Sequence, residues 1–296
     1  MTRLHGWMPS SPCGVRCLAD DADRVGLPTV GLRIALVALV LTVVPLLSAG
    51  RMIPATRREH TLRRSARVLL WCVGIHPTVD DRRDRRAHAG GVLVVAPHVS
   101  WTDVLVLTAV APAVFVARAD LLDWGVLGTL ARRMRVIAID RERLRLLPDV
   151  IDRIRTRLLA GERVAVFPEG TTWCGRAYGG FRPALLQAAV DVQCPVQPVG
   201  LRYRQRTGES TAVPAFVGDE TIGSSLRRMI RNRGVVAEVV LAPLERPGQD
   251  RRDLAARCDR AVRADRVADA ISSVPVDRSP VARAAHRADA ARPRTP

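Results

Sequence analysis

Residues 92–110, VLVVAPHVSWTDVLVLTAV, join two apolar runs through the polar turn PHVSWTD. The first run is short and rich in β-branched residues, which predicts a buried strand, and the second predicts a helix beginning near Ser100. Two interpretations of the turn remain open. Ser100 and Asp103 have the spacing of a capping box, so that Asp103 only starts the helix. Alternatively, His98 is a general base and Asp103 holds its ring, since a strand-to-helix turn lets the two side chains converge.

The same alternation of apolar strand, turn and helix continues along the chain. Strands are predicted at residues 92–96, 113–117, 135–139 and 163–167, with later strands at 196–201 and 235–241. Helices are predicted at residues 148–160, 183–191 and 250–265. This order predicts an α/β domain whose mixed, largely parallel sheet is flanked by helices.

Polar side chains follow three of the predicted strands. PHVSWTD follows the first strand, DRERLR the third and PEGTTWCGR the fourth. Sites in such sheets collect at the carboxyl ends of the strands, so these turns are expected to converge. One such turn would be weak support for a site, but three in register favour one.

The charge balance restricts the partners of the chain. The 296 residues carry a formal net charge of +17, and all 46 basic residues are arginine. Anionic lipid headgroups, phosphorylated substrates and nucleic acid are candidate partners for this excess. No zinc finger, basic zipper or aromatic-basic RNA-binding strand occurs, so nucleic acid is not expected.

The six cysteines show no paired spacing of metal ligands, and only Cys13 and Cys17 are close together in sequence. Dispersed, reduced thiols are the expectation for a mainly intracellular protein. This spacing indicates no metal site, and the chemistry implied by the family resemblance given below needs neither a metal nor an organic cofactor.

An uncharged run at residues 34–50 precedes a cluster of arginines that begins at Arg51. The run reaches the short end of the roughly 17–25 residues that a spanning helix needs. It predicts membrane attachment, with the following chain on the cytoplasmic face of the cell membrane. A second run, VLLWCVGI at residues 68–75, is expected at the interface. A cleaved signal peptide or a buried helix are the alternatives.

These features divide the chain into four parts. Residues 1–30 are an irregular extension and residues 31–80 a membrane-anchoring helical region. A charged linker at residues 82–88 leads to the α/β domain at residues 88–265. Residues 266–296, rich in Ala, Arg and Pro, are predicted to be a disordered tail.

Four ordered blocks between about residues 90 and 202 resemble the glycerolipid acyltransferases of the lysophosphatidic acid acyltransferase type. His98 and Asp103 match the first block, His-x-x-x-x-Asp, and Arg141 ends the second, in VIAIDR. The third block, Phe-Pro-Glu-Gly-Thr, matches residues 167–171, and the two prolines of the fourth match CPVQPVGL. The chain departs from the family pattern after Thr171, where Thr172 and Trp173 replace an arginine. It departs again at FRPA, where Arg182 takes a lysine position.

The resemblance implies a transfer of a fatty acyl group from acyl-CoA or acyl carrier protein to the hydroxyl of 1-acylglycerol-3-phosphate, which gives phosphatidic acid. His98 would be the general base, and Asp103 would orient it. Arg141 is the first candidate for the substrate phosphate, and Glu169 would bind a glycerol hydroxyl or orient Arg141. The remaining candidates are the amides of Gly170 and Thr171, as an anion nest, and the side chains of Arg176 and Arg182.

Three other functions stay open at this stage. The acceptor is a different lyso-lipid, such as lyso-ornithine lipid or lysophosphatidylglycerol. Alternatively, the chain is a non-catalytic basic protein that binds membranes, or it is a lipid esterase. The absence of a GxSxG elbow from the sequence weighs against the esterase.

Overall fold

A seven-stranded sheet organises the chain in this computed structural model, in the order β1-β7-β6-β2-β5-β3-β4. The strands are β1 (Ile75–Asp81), β2 (Val92–Val95), β3 (Val114–Arg118), β4 (Ile137–Ile139), β5 (Arg163–Val166), β6 (Val196–Gln205) and β7 (Val235–Leu241). The structure describes residues 8–18, 24–48, 55–84, 90–140 and 143–272. Five adjacent strands, from β6 to β4 in that order, run parallel, whereas β7 is antiparallel to β6 and parallel to β1. The predicted mixed, largely parallel sheet is confirmed.

The burial of each strand follows its position in the sheet. All four residues of β2 are buried, since helices cover both faces of this central strand. Val92 and Val94 belong to one apolar cluster, and Leu93 and Val95 to the other. In β7 buried and half-buried residues alternate along the whole strand, as expected where only one face is fully covered.

Eight α-helices lie in the described part of the chain. They are α1 (Leu27–Ser48), α2 (Ala55–Cys72), α3 (Thr102–Val110), α4 (Gly125–Arg133), α5 (Leu147–Leu159), α6 (Gln187–Val192), α7 (Ile222–Arg231) and α8 (Arg251–Ser272). Apolar residues of α2, α3 and α7 join the cluster on one face of the sheet. Those of α5, α6 and α8 join the cluster on the other face. The core is therefore a sheet between two helical layers.

Helix α5 shows how sequence decides such a layer. Pro148 lies in its first turn, where the missing N–H of proline carries no penalty. Val150, Ile154 and Leu158 recur every four residues, and all three are buried. The predicted helix at residues 148–160 thus agrees with the structure to within one residue at each end.

The sheet extends beyond the predicted α/β domain. Strand β1 lies in the region assigned to the membrane anchor, before the expected start at residue 88, and pairs with β7 over its full length. The sequence IHPTVDD does not predict a strand because β1 is an edge strand and its last four residues are exposed. Helices α4 and α7 were also not predicted.

The N-terminal part is more regular than the sequence predicts. A 3₁₀ helix spans Val15–Leu18, and α1 begins at Leu27, both within the segment expected to be irregular. The side chain of Arg33 in α1 donates to the carbonyls of Ile230 at 2.8 Å and Asn232 at 2.6 Å, where α7 ends. These bonds satisfy carbonyls that a helix end leaves without partners. Helix α1 is therefore attached to the fold.

Among the residues that the structure describes, no helix is long and apolar enough to cross a membrane. The run at residues 68–75 ends α2 and begins β1. Its inner side is buried at Leu70 and Cys72, whereas Val68 and Trp71 are exposed. One side of the run therefore packs against the domain, and the other side is exposed on its surface.

One compact unit ends at Val262, and a second unit comprises residues 263–296. Of the second unit the structure describes residues 263–272, the last turns of α8. The predicted tail from residue 266 falls mainly outside the described residues, as does most of the charged linker at residues 82–88.

Candidate active site

The turns after β2 and β5 lie next to each other, because these strands are neighbours and run parallel. The N–H of Ala96, directly after β2, donates to the carbonyl of Val166 at the end of β5. Parallel strands end at one edge of a sheet, so PHVSWTD and PEGTTWCGR meet there. The convergence predicted for these two turns is observed.

Asp103 is fully buried in the first turn of α3 and accepts four hydrogen bonds. Oδ2 accepts from the Nδ1 atom of His98 at 2.8 Å and from the backbone N–H groups of Val99 at 2.7 Å and Ser100 at 2.9 Å. Oδ1 accepts from the hydroxyl of Tyr203 at 2.7 Å. A buried carboxylate is costly unless donors surround it, and these donors compensate its lost hydration.

The imidazole of His98 is held on two sides. The carboxylate of Asp103 can only accept, so Nδ1 of His98 carries the proton and donates it in this hydrogen bond. Nε2 then keeps its lone pair for another partner. The ring stacks on Phe167 with a centroid separation of 4.0 Å and an angle of 11° between the planes. Its side chain is 16% exposed, so the ring is fixed but reachable. His98 can therefore act as a base at Nε2.

The two interpretations of the Ser100–Asp103 spacing are both partly right. Asp103 reaches back to the N–H of Ser100, as a capping box requires. Ser100 does not complete the box, because its Oγ accepts from the N–H of Thr102 at 3.3 Å. The same carboxylate oxygen also binds His98. Asp103 thus starts the helix and orients the imidazole at once.

Tyr203 is a member of the site that sequence reasoning missed. Its buried hydroxyl donates to Asp103 and lies 3.0 Å from the hydroxyl of Thr102, which therefore donates to it. Burial, together with the negative charge of Asp103, raises the pKa of Tyr203 well above its usual value. The prediction ended the strand at Leu201, whereas β6 continues to Gln205. A tyrosine in a buried strand needs a partner for its hydroxyl, and that signal could have found it.

The turn after β5 supports the main chain of His98. The buried carboxylate of Glu169 accepts from the backbone N–H of His98 at 2.8 Å, and the N–H of Trp173 donates to the carbonyl of His98 at 2.8 Å. The sequence predicted that Glu169 binds a glycerol hydroxyl of the substrate or orients Arg141. The structure adds a contact that was not predicted, between the Glu169 carboxylate and the backbone of His98. One turn thereby positions the other.

The anion nest predicted at Gly170 and Thr171 stays a prediction, and the structure shows a partner within the turn for the first of its two amides. The N–H of Gly170 donates to the carbonyl of Phe167 at 3.0 Å, so the turn itself uses this donor. Gly170 has φ of +75°, a conformation that glycine adopts without strain. Pro9 of the N-terminal segment lies against it, about 2.7 Å from where a Cβ would be.

The structure describes two of the three predicted arginines and places them apart. Arg182 is exposed and lies beside the turn, where its N–H donates to the carbonyl of Pro168 and its Cδ is 3.7 Å from the Cβ position of Gly170. Arg176 is exposed and lines a small cavity with Glu209 and neighbouring residues of a different loop. Arg141 lies outside the described residues.

Three cysteines meet where the sequence indicated no metal site. The sulfur atoms of Cys13, Cys17 and Cys174 lie within 4.8 Å of one another. Burial favours the neutral thiol of Cys174, but the backbone N–H groups of Ala177 and Arg176 and the thiols of Cys13 and Cys17 bring its pKa below the usual value. Burial raises the pKa of Cys13. The spacing of ligands along the chain could not reveal this cluster, because Cys174 comes from the turn after β5.

Comparison with known proteins agrees with this geometry. The family model described as Acyltransferase matches residues 77–202. A lyso-ornithine lipid O-acyltransferase of Pseudomonas aeruginosa is 37% identical over 177 residues, which cover 58% of this chain and 66% of the relative. A 1-acyl-sn-glycerol-3-phosphate acyltransferase of Neisseria gonorrhoeae is 31% identical over 195 residues, which cover 66% of this chain and 73% of the relative.

A solved structure has the same fold. The crystal structure of the 1-acyl-sn-glycerophosphate (LPA) acyltransferase PlsC from Thermotoga maritima matches with a TM-score of 0.62 and 16% identity, over 82% of this chain and 96% of that chain. The family match includes both strands whose turns form the site, and the Neisseria gonorrhoeae relative is matched over most of its length. The predicted resemblance is confirmed: this chain is an enzyme of the acyltransferase family.

Proposed function

We propose that the protein transfers a fatty acyl group from a thioester donor to the free hydroxyl of a lyso-lipid, with 1-acylglycerol-3-phosphate as the acceptor. The observation that carries this proposal is the His98–Asp103 pair, with Nδ1 of the imidazole held by a buried carboxylate and the ring reachable. The acceptor itself brings the nucleophilic oxygen, so the reaction needs only a positioned base from the protein.

The reaction requires two proton transfers, one from the acceptor hydroxyl to His98 and one from His98 to the leaving thiolate. Nε2 of His98 takes the proton of the acceptor hydroxyl while its oxygen attacks the thioester carbonyl carbon. The negative charge of Asp103 stabilises the imidazolium that results. When the C–S bond breaks, the thiolate leaves and takes the proton from Nε2. The products are an ester and a free thiol, and His98 returns to its starting state.

The acceptor phosphate requires cations near this pair. Arg182 lies beside the turn that supports His98 and is the candidate that the contacts favour. Arg141, which ends the second family block, remains a candidate as a bidentate donor. Replacing either with alanine is expected to raise the KM for the phosphorylated acceptor by about 10- to 100-fold, the loss of a hydrogen bond to a charged group. The KM for the thioester should stay the same, and lysine at position 141 should restore only part of the loss.

Lyso-ornithine lipid is the second candidate acceptor. It is favoured by the name of the relative that is 37% identical to this chain. This acceptor has no phosphate, so Arg182→Ala and Arg141→Ala should affect it far less than they affect 1-acylglycerol-3-phosphate. The same two variants thus separate the two acceptors.

A panel assay tests the proposed reaction. The full chain is supplied with a long-chain acyl-CoA, or with acyl carrier protein loaded with the same chain, and with each lyso-lipid in turn. We expect thiol release that depends on 1-acylglycerol-3-phosphate and that His98→Ala abolishes. Release without any acceptor would identify a thioesterase, and no release with any pair would contradict the enzyme proposal.

We also propose that α1 and α2 attach the enzyme to the cytoplasmic face of the cell membrane. Leu32, Ile34 and Leu39 of α1 are exposed, as is Trp71 of α2. Close to the end of α7 that Arg33 binds, a cavity of about 540 Å³ is lined by arginines 24, 227, 228 and 231. Exposed apolar side chains beside such a basic cavity are the combination that binds an anionic lipid surface.

Vesicle co-sedimentation tests this attachment. Truncation is unsuitable, because removing residues 1–76 would cut into β1. Instead, the double variant Leu32→Gln and Leu39→Gln should bind vesicles of phosphatidylglycerol several-fold more weakly than the wild type. Leu159→Gln replaces a leucine that is 71% exposed on α5 and serves as the matched control. Equal binding by all three proteins would contradict the proposed surface.

A further inference from the structure

The N-terminal segment, residues 8–18, packs against the turn after β5. Pro9 packs on Gly170, and the N–H of Cys13 is bonded to the hydroxyl of Ser11 at 3.2 Å. Gly14 lies 3.5 Å from the Cβ position of Gly218. Cys13 is also buried in the core cluster on this face of the sheet, and Cys17 and Leu18 pack against that cluster. A further attachment of the segment lies at its two cysteines.

That attachment is where the three sulfur atoms meet. Cys13 and Cys17 lie on the N-terminal segment, whereas Cys174 follows the Phe-Pro-Glu-Gly-Thr block in the turn after β5. Cys13 and Cys174 are buried, and Cys17 is partly exposed. Of the three thiols, that of Cys17 is therefore the most accessible from solvent.

We propose that Cys13, Cys17 and Cys174 bind a thiophilic d¹⁰ cation, Zn²⁺ or Cu(I), which fastens the N-terminal segment to the turn after β5. Thiolates without oxygen ligands select these soft ions. A Zn–S bond is about 2.3 Å, which places the sulfurs of a regular site about 3.8 Å apart. The three sulfur atoms lie within 4.8 Å of one another, which is near this spacing.

The coordination number follows from the residues present. In the described residues, the cluster offers three ligand atoms from His, Cys, Asp or Glu. Three thiolates complete a trigonal Cu(I) site, whereas Zn²⁺ would take a water molecule as its fourth ligand. Each thiol releases its proton to the solvent when the ion binds.

A disulfide is the competing use of these thiols. Any such bond consumes two of the three cysteines, leaves the third unused and requires an oxidant. A metal ion uses all three and requires none. The convergence of three sulfurs rather than two therefore favours the metal.

The test measures metal on the full chain. Protein purified with a reductant and without a chelator is analysed for zinc and copper, then stripped and titrated with each ion. We expect about one ion per chain, and elemental analysis distinguishes the two metals. Cys17→Ser, at the most exposed of the three positions, should weaken binding by about 100-fold or more, beyond the 10- to 100-fold typical for loss of an outer-shell partner.

Cys194→Ala is the matched control, because Cys194 is buried in the cluster on the other side of the sheet. It should bind the ion like the wild type. Co²⁺ gives a second readout that needs no variant, since thiolate ligands produce an intense near-ultraviolet charge-transfer band. The proposal is overturned if the wild-type chain contains no zinc or copper as purified and, after stripping, shows no such band with Co²⁺. It is also overturned by a native disulfide between any two of the three cysteines, or by unchanged binding by Cys17→Ser.

Discussion

The turn after β2 and the turn after β5 lie side by side at one edge of the sheet, but different interactions hold them. In the first, a buried side chain, Asp103, gathers four donors and thereby sets both the backbone and the imidazole of His98. In the second, the main chain turns through Gly170 at positive φ and is packed from outside by Pro9. The first turn depends on a charge, and the second on a backbone shape.

This difference explains which turn carries the chemistry. A base that gains and loses a proton in each cycle needs a charge fixed next to it, and only the first turn provides one at Nδ1. The second turn holds the first through two hydrogen bonds to the main chain of His98. Glu169 accepts from its N–H group, and the N–H of Trp173 donates to its carbonyl oxygen. Substitutions in the first turn should therefore affect turnover most, and those in the second should affect stability.

The largest expected effect is that of His98→Ala. Loss of a positioned base should lower kcat by roughly 10²–10⁴-fold while the fold survives, because the ring is partly exposed and packs mainly on Phe167. Acceptor-dependent thiol release measures the rate. His76→Ala, an exposed histidine on β1, is the control and should behave as the wild type. A His98→Ala enzyme with normal turnover would remove the base from the mechanism.

Asp103→Asn should cause the second largest loss of turnover. An amide keeps the shape but brings its own N–H group, so that it cannot accept from His98, Val99, Ser100 and Tyr203 together. We expect kcat to fall by about 10²-fold or more, though not below the level of His98→Ala. The double variant should be little worse than His98→Ala alone, since the two residues act as a unit. Additive losses would show that Asp103 acts separately, and Asp152→Asn on α5 controls for the lost charge.

Tyr203→Phe tests the hydrogen bond that β6 contributes to Asp103. Removing the hydroxyl leaves one lone pair of a buried carboxylate unsatisfied and should lower the free energy of unfolding by about 1.5–3 kcal/mol near neutral pH. Urea unfolding measures the difference, and Tyr178→Phe, at an exposed tyrosine, should change little.

The difference in the free energy of unfolding between the wild type and Tyr203→Phe should shrink at alkaline pH. The pKa of Tyr203 is raised in the folded state, so above the ordinary value of 10.0 the unfolded chain loses the proton first. The hydroxyl's contribution is therefore complete below pH 10 and declines above it, by up to about 1.4 kcal/mol per pH unit. A constant difference between the wild type and Tyr203→Phe across this range would contradict the shift.

Gly170→Ala should have the smallest effect. Positive φ disfavours alanine by about 1–2 kcal/mol, and the new Cβ would also displace Pro9. Two glycines separate these causes. Gly161 has positive φ but open space around it, and Gly180 has open space without positive φ. We expect unfolding free energies to fall most for Gly170→Ala, less for Gly161→Ala and hardly at all for Gly180→Ala. Equal effects at positions 161 and 170 would show that Pro9 yields freely.

Sequence patterns predicted the buried parts of this fold well. Strands β2, β5 and β7 are continuous or alternating apolar runs, and each was located to within a residue or so. Strand β1 was missed because an exposed edge strand has no apolar pattern, and its pairing with β7 depends on residues far along the chain. The His98–Asp103 contact was predicted because both residues lie in one short turn.

The contacts that sequence did not reveal join distant segments. Tyr203 reaches Asp103 from β6, and Cys174 meets Cys13 and Cys17 through the packing of the N-terminal segment. Spacing along the chain carries no information about such pairs. Residue type likewise did not predict that the N–H of Gly170 donates within its own turn, because that hydrogen bond is decided by the backbone angles.

The place of β1 in the sheet also sets the order in which the protein can fold. Its hydrogen-bonding partner β7 is made only after most of the chain has left the ribosome. Pairings between such distant segments form slowly, because a long loop must close first. Until then β1 has no strand to pair with, because it lies at the edge of the sheet next to β7. Its unpaired backbone N–H and C=O groups are therefore a place where a chaperone would bind the nascent chain.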